Sequence, residues 1–301
     1  MEAIITVVGF LGAGKTTLLK HLTKSYIEGG WNPFVILNDY ENANLDAQQF
    51  LDQMGTKEIM ALNGSCICCS GINELRSYIN IIPERQNGIT LIEANGTSDA
   101  CSLMGFLGVG IHERFLPPVQ VSVVDVQNWQ LRGEHNELEK NQIQVSSLIV
   151  LTHLEQVTEE RKSTVLADLQ EVNPMAKVMT MDEIDLELLP NLDPSENKAE
   201  RLDHLKAHWS SCSVDLPRLP HQEAIYSICE ELPKSILRIK GCTQIGKDDE
   251  YTFFQRTPDG TVNVRAFYGE PITGSKLLTV GPGSEPSALR TAIDNSLAAK
   301  A

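Results

Sequence analysis

No run of about 18 consecutive apolar residues occurs in the chain, so no segment reads as a membrane-spanning helix. Met1 to Gly9 has neither a basic start nor a small-residue cleavage site, so no signal peptide is expected and the chain reads as cytoplasmic. Positive charge is short as well. Only 25 Lys and Arg stand against 40 Asp and Glu, and a net charge of −15 repels phosphate backbones and anionic headgroups. Neither nucleic acid nor a membrane is expected as a partner. Repeats and low-complexity tracts are missing, and the composition is neither disordered nor fibrous. Cysteines number seven, an odd count for a disulfide framework in a long chain, which leaves metal binding or plain burial as their uses. What is present is an ordinary globular mixture, 42% hydrophobic over 301 residues, enough for two domains of roughly 150 residues each.

The first 180 or so residues alternate short β-branched runs with helix-period segments. The runs are Ala3 to Val8, Pro33 to Leu37, Ile59 to Leu62, Ile89 to Ile92, Val119 to Val124, Leu148 to Leu151 and Lys177 to Met179. Helical spacing marks Thr16 to Glu28, Ile72 to Ile82 and Thr158 to Val172. Uncharged strands buried on both faces, separated by helices, predict an α/β doubly wound, mostly parallel sheet. Met181 to Glu200 is acidic and carries two prolines, and its latter part reads as a linker. Strand-like runs follow at Ile236 to Ile239, Tyr251 to Gln255, Thr261 to Phe267 and Lys276 to Val280, with helical patterns at Gln222 to Leu232 and Ser287 to Leu297. The expected layout is a nucleotide-binding domain over 1–190, a linker over 191–208 and a smaller α+β domain with an antiparallel sheet over 209–301.

Directly behind the first strand stands Gly9-Phe10-Leu11-Gly12-Ala13-Gly14-Lys15-Thr16-Thr17, which fits the phosphate-binding G-x-x-x-x-G-K-[ST] in its strand–loop–helix setting. Its glycines let successive N–H groups converge on a β-phosphate at the positive end of the next helix. Lys15 is expected on the β/γ-phosphates and the Thr16 hydroxyl on Mg²⁺. Phosphoryl transfer also needs an acid for the metal and a contact to the γ-phosphate. Glu93, closing the fourth of these runs, and Gly96 beyond it are the candidates, although an acid there can also cap a helix. Asp39, ending the second run, is a further candidate for the metal or for positioning water, and Asp125 a weaker one.

Cys66, Cys68 and Cys69 pack three thiols into four residues ahead of a helix. Thiolates favour Zn²⁺ or Cu(I), and three ligands leave one coordination position open, which suits a site that releases its metal. A redox pair and chance clustering are the competing readings. Cys101, Cys212, Cys229 and Cys242 are scattered and expected to be buried.

With these features in place the chain resembles the CobW-like family of P-loop GTPases, metal-chaperone relatives of the nickel-insertion GTPases that serve urease and hydrogenase. Gly9 to Thr17 matches its G-F-L-G-[AS]-G-K-T-T, Asn38-Asp39-Tyr40 is similar to its N-E-F, Cys66 to Cys69 to its C-x-C-C, and Ile92 to Gly96 to its I-E-[TS]-[ST]-G. Asn173 to Ala176 is similar to N-P-x-A, and Leu232-Pro233 with Leu237 to Gly241 to the L-P…L-R-x-K-G of its C-terminal domain. The resemblance implies Mg²⁺-dependent GTP hydrolysis coupled to binding a transition metal, zinc or cobalt, and delivering it to a client metalloprotein; a homodimer stays open. It also places the guanine-reading N-K-x-D on Thr152-His153-Leu154-Glu155, so that Thr152, His153 and Glu155 are expected beside the base. All three base-contacting types differ there, Asp39 stands for the family's Glu, and Asn95 for a hydroxyl residue. A His-rich stretch before the C-terminal domain is missing; His204 and His208 read as helix-surface residues. A nucleotide-binding metal sensor with little turnover is the rival reading, while a small-molecule kinase would use the same loop but leave the three thiols unexplained.

Overall fold

The computed structural model describes residues 1–39, 43–48, 50, 52–63, 71–155, 157–197, 211–271 and 274–298; for Asp39, Asn44, Leu45 and Asn63 the description is of the backbone alone. The chain divides into two compact units. Met1–Tyr40 and Phe50–His208 form the first, and Glu41–Gln49 with Trp209–Ala301 the second.

The first unit is built on β1 (Ala3–Val8), β2 (Asn32–Asp39), β3 (Ile59–Asn63), β4 (Gly88–Glu93), β5 (Val119–Asp125), β6 (Leu148–Thr152) and β7 (Lys177–Thr180). They lie in the order β3-β2-β4-β1-β5-β6-β7, and every pairing is parallel. Strands β1, β4 and β5 are buried along their whole length. A run such as Ala3-Ile4-Ile5-Thr6-Val7-Val8 has no polar face to offer water, so it is stable only with helices on both sides. Helix α1 (Lys15–Glu28) supplies Leu18, Leu19, Leu22 and Tyr26, all shut from solvent; each such side chain contributes about 1.5–3 kcal/mol by burial. Helices α3 (Ile72–Ile81) and α4 (Ala100–Leu107) share one apolar cluster with Ile4, Val8 and Ile36. Helices α5 (Asn136–Gln144) and α6 (Glu159–Val172) share another with Val124, Ile149 and Leu151. The Thr158 hydroxyl caps α6 by accepting from the Arg161 N–H.

The seven strands and the helices α1, α3 and α6 stand where the hydrophobic periods predict them, to within a few residues at each end. Helices α4 and α5 are not legible from periodicity. Ala-Cys-Ser-Leu-Met-Gly-Phe-Leu is apolar nearly all round, and α5 buries Glu139, Asn141 and Gln142 as well as Leu138 and Ile143, so neither shows an amphipathic stripe.

In the second unit β8 (Ser211–Asp215), β9 (Arg238–Gln244), β10 (Tyr251–Arg256), β11 (Val262–Phe267) and β12 (Lys276–Val280) form an antiparallel sheet in the order β11-β10-β9-β12-β8. Helices α7 (Glu223–Glu231) and α8 (Pro286–Ala298) pack Ile225, Ile228, Leu289 and Ile293 into a cluster with Ile239, Phe254 and Leu277. The strand expected at Ile236 to Ile239 sits further on, because Ile236 packs into that cluster ahead of the strand while polar Lys240, Thr243 and Gln244 carry the ladder.

Helix α2 (Ala43–Gln48) follows β2 in sequence yet belongs to the second unit. Its Asp46 accepts from Lys240 Nζ at 2.5 Å, with the two side chains 7% and 1% exposed. Lys240 lies on the central strand β9, opposite Gln255 and Leu278. A buried ion pair contributes little net stability compared with apolar residues of the same shape, but losing one partner strands the other charge. Lys240→Met should therefore destabilise the second unit by about 3–5 kcal/mol, and adding Asp46→Leu should recover most of the loss. Hydrogen exchange of β9 amides under mild urea reads both effects.

Candidate functional site

The carboxyl ends of β1, β4 and β6 converge, which is where open parallel sheets hold their ligands. Gly9, Gly12 and Gly14 take φ of +152°, +82° and +96°, values that side-chain-bearing residues rarely adopt, and so turn the chain from β1 into α1. Gly14 caps α1, and no acidic residue stands in its first turn, so the positive end of the helix is left for an anion. Lys15 is 4% exposed and its Nζ donates to the Phe10 carbonyl at 3.1 Å. Ala13 is buried and its N–H donates to Phe10, whereas Thr17 faces outward on α1.

The Thr16 hydroxyl donates to Glu93 Oε1 at 2.9 Å across 77 residues of chain. Glu93 closes β4 opposite Val7 of β1 and is 6% exposed. A hydroxyl and a carboxylate are hard oxygen donors of the kind Mg²⁺ takes, so these two side chains fit that ion. Gly96 follows in a turn pressed on the phosphate loop: a Cβ there would lie 2.9 Å from the Leu11 nitrogen and 2.5 Å from Leu11 Cδ2. Only glycine brings this backbone so close.

Thr152 ends β6 and donates its hydroxyl to Ala13 O at 2.7 Å, with Val124 O 3.1 Å away. It thus ties the end of β6 to the phosphate loop. His153 has φ +55°, an uncommon conformation for a residue with a side chain. Its ring lies outward, Nδ1 3.2 Å from the Thr152 hydroxyl and 3.7 Å from Asp125 Oδ1. Leu154 packs into the cluster beneath, and Glu155 is exposed.

Asp125 is committed elsewhere than to a metal. Its carboxylate accepts from Arg132 Nη2 at 2.9 Å and from the backbone and side chain of Asn128 at 3.1 and 2.9 Å. Arg132 stacks its guanidinium 5.0 Å from the Phe10 ring, which makes this pair a brace beneath the phosphate loop. Burial raises the Glu139 carboxyl above its ordinary range against the opposing pull of the Gln130 N–H and of Arg132.

Gln142 also escapes the sequence reading: its buried amide donates to Gly96 O at 3.0 Å and to Ser98 O at 3.2 Å, fixing the turn after β4 from behind. Nothing local signals either brace, since Gln142 on α5 reaches Gly96 and Arg132 reaches Phe10, partners distant in sequence.

Asp39 has its backbone at the end of β2, paired in register with Asn63 of β3. Cys66, Cys68 and Cys69 lie outside the described residues, as do His204 and His208. Cys101, Cys212, Cys229 and Cys242 are buried, and burial pushes the thiols of Cys101, Cys229 and Cys242 up to about 12, far from the thiolate form that metals take. Among the described residues no three His, Cys, Asp or Glu gather as a metal site, and no helix is long and apolar enough to cross a membrane.

Comparison with known proteins brings the same region forward. Over 199 residues the chain is 29% identical to the zinc chaperone YjiA of Escherichia coli, covering 63% of this chain and 61% of that protein. Over 209 residues it is 24% identical to the zinc-regulated GTPase metalloprotein activator 1 of Dictyostelium discoideum, covering 57% and 44%. The matches thus span about two fifths to three fifths of these relatives' length. The crystal structure of Zn(II)-bound YjiA GTPase aligns over 97% of this chain and 98% of its own at 18% identity, with a TM-score of 0.44. The profile of the CobW/HypB/UreG nucleotide-binding domain matches residues 3–180, from β1 through β7 and so across every strand end described above. On that match, which takes in more than half of the sequence, the chain belongs to the CobW/HypB/UreG family.

Proposed function

We propose that the chain hydrolyses GTP with Mg²⁺ and uses the cycle to hold and hand on a transition metal, zinc before cobalt, to a client metalloprotein. The observation that carries this reading is the Thr16–Glu93 contact beside the phosphate loop, because it gathers hard oxygen donors where β- and γ-phosphates would lie. Lys15, the N–H groups of the loop and the start of α1 offset phosphate charge. Thr16 and Glu93 hold Mg²⁺, with Asp39 as a further acid; the ion, when bound, neutralises charge developing on the β/γ oxygens. Gly96 offers its backbone N–H to the γ-phosphate. Thr152, His153 and Glu155 flank the base.

The metal cargo falls to Cys66, Cys68 and Cys69. In sequence they follow Asn63, which closes β3 as the register partner of Asp39. Three thiolates with one open position suit capture and release. Names of relatives that include zinc chaperones and a zinc-regulated GTPase support zinc as the cargo. A reduced compartment such as the cytoplasm keeps such thiols free.

The reading is tested at the phosphate loop, at the metal and at the base. Lys15→Ala removes the charge facing the β/γ-phosphates and should weaken triphosphate binding by about a hundredfold or more, with the melting temperature nearly unchanged; wild-type affinity in that variant would refute the phosphate-loop assignment. Zn²⁺ addition should release protons, and affinity should fall as pH drops through the thiol range, since protons then compete for the thiolates. Replacing Cys66, Cys68 and Cys69 by Ser should remove the tight site, whereas replacing the four buried cysteines should not; metal-stimulated single turnover separates the chaperone from a sensor that only binds. Finally, the Thr152 hydroxyl is turned to Ala13 and Val124, which leaves the Glu155 carboxylate as the main reader of a guanine edge. GTP should be preferred over ATP by only about ten- to a hundredfold, and restoring Asn, Lys and Asp at 152, 153 and 155 should widen the gap in competition against a fluorescent nucleotide.

A further inference from the structure

The turn after β4 holds a buried donor with no acceptor among the described residues. Asn95 is 4% exposed. Its Oδ1 accepts from the Thr97 N–H at 3.0 Å and from the Thr97 hydroxyl at 3.1 Å, while its carbonyl accepts from Ser98 N at 3.0 Å. The Thr97 backbone N–H fixes which end of the amide is oxygen, because a flipped amide would set N–H against N–H. The Nδ2 end is therefore directed away from Thr97, and among the described residues it has no hydrogen-bond partner. A buried amide donor left unmatched costs free energy that a folded protein rarely tolerates away from a working site.

Its surroundings say what the acceptor would be. Two residues before it, Glu93 meets Thr16. One residue after it, Gly96 lies against the Leu11 nitrogen of the phosphate loop. The turn cannot swing away to satisfy the amide, since Gln142 holds Gly96 O and Ser98 O from behind and Ala94 N donates to Val7 O at 2.9 Å. Asn95 thus stands in sequence between the carboxylate proposed for the metal and the glycine proposed for the γ-phosphate, and an unmatched N–H₂ group on that turn calls for an acceptor-only, anionic ligand.

We infer that the Asn95 side-chain amide donates to an oxygen of the terminal phosphate of the bound nucleotide, and so distinguishes triphosphate from diphosphate. The inference rests on the nucleotide site proposed above and adds a side chain to it. Where relatives are expected to carry a hydroxyl, this chain offers a longer side chain with two N–H donors and Oδ1 free to lock the turn.

Asn95→Asp is the discriminating variant. It keeps Oδ1 for Thr97 at unchanged size and turns the donor into a charged acceptor, which repels phosphate. Displacement of a fluorescent nucleotide by a non-hydrolysable GTP analogue and by GDP, both with Mg²⁺, reads the effect. Affinity for the triphosphate analogue should fall about tenfold or more, while affinity for GDP should change less than about twofold. A merely structural role would weaken both nucleotides alike, and an equal loss, or no loss, would overturn the inference. Should Asn95→Asp fold poorly by circular dichroism, Asn95→Ala gives the same test, because it removes both N–H donors and puts no other donor in their place, with the GDP arm reading any general loosening of the turn. Wild-type protein with no triphosphate affinity would overturn the nucleotide site itself, and unchanged triphosphate affinity in the variant would overturn the role of Asn95 alone.

Discussion

The Thr16 hydroxyl donating to Glu93 joins the start of α1 to the end of β4, and the candidate site depends on that junction. Residues 77 positions apart meet because β1 and β4 pair in parallel with Val7 opposite Glu93. Parallel pairing sends successive connections over the same edge of the sheet, so whatever follows each strand is delivered to one place. The phosphate loop follows β1, the Asn95–Gly96 turn follows β4, the Asp125–Arg132 brace follows β5 and Thr152 closes β6.

Rigidity at that edge comes from polar groups rather than from the apolar core. Gln142 holds the turn after β4, Arg132 supports Phe10, and Thr152 ties Ala13 to Val124. Satisfied buried polar networks specify one arrangement because each misplaced group would lose a bond with no water to replace it. Such precision matters for phosphoryl transfer, in which the protein contributes position and electrostatics more than covalent chemistry.

The second unit follows a different logic. Its antiparallel sheet joins the consecutive strands β9, β10 and β11 to the distant β12 and β8, and the unit also takes in α2 from between β2 and β3. The Lys240–Asp46 pair marks that long-range attachment with a buried charge on a central strand. Because a lone buried Lys is so unfavourable, the pair makes the attachment specific even where it adds little net stability.

How much of this was legible in the sequence follows from the range of the interactions. Strands β1 to β7 and helices α1, α3 and α6 declare themselves because hydrophobic period is a local property, and Gly9 to Thr17 is legible because a phosphate loop is contiguous. Glu93 and Gly96 could be named from their place after a buried strand, and Thr152 to Glu155 from the resemblance. Helices α4 and α5 could not, since one lacks a polar face and the other buries polar residues. Nor could the transfer of α2 to the second unit, the engagement of Asp125 by Arg132, or the unmatched amide of Asn95. The sequence by itself determined the sheet, the phosphate loop and the acids at the strand ends; tertiary structure decided which polar side chains meet, because partners such as Thr16 and Glu93, 77 residues apart, leave no local pattern and are chosen only when the strands pack.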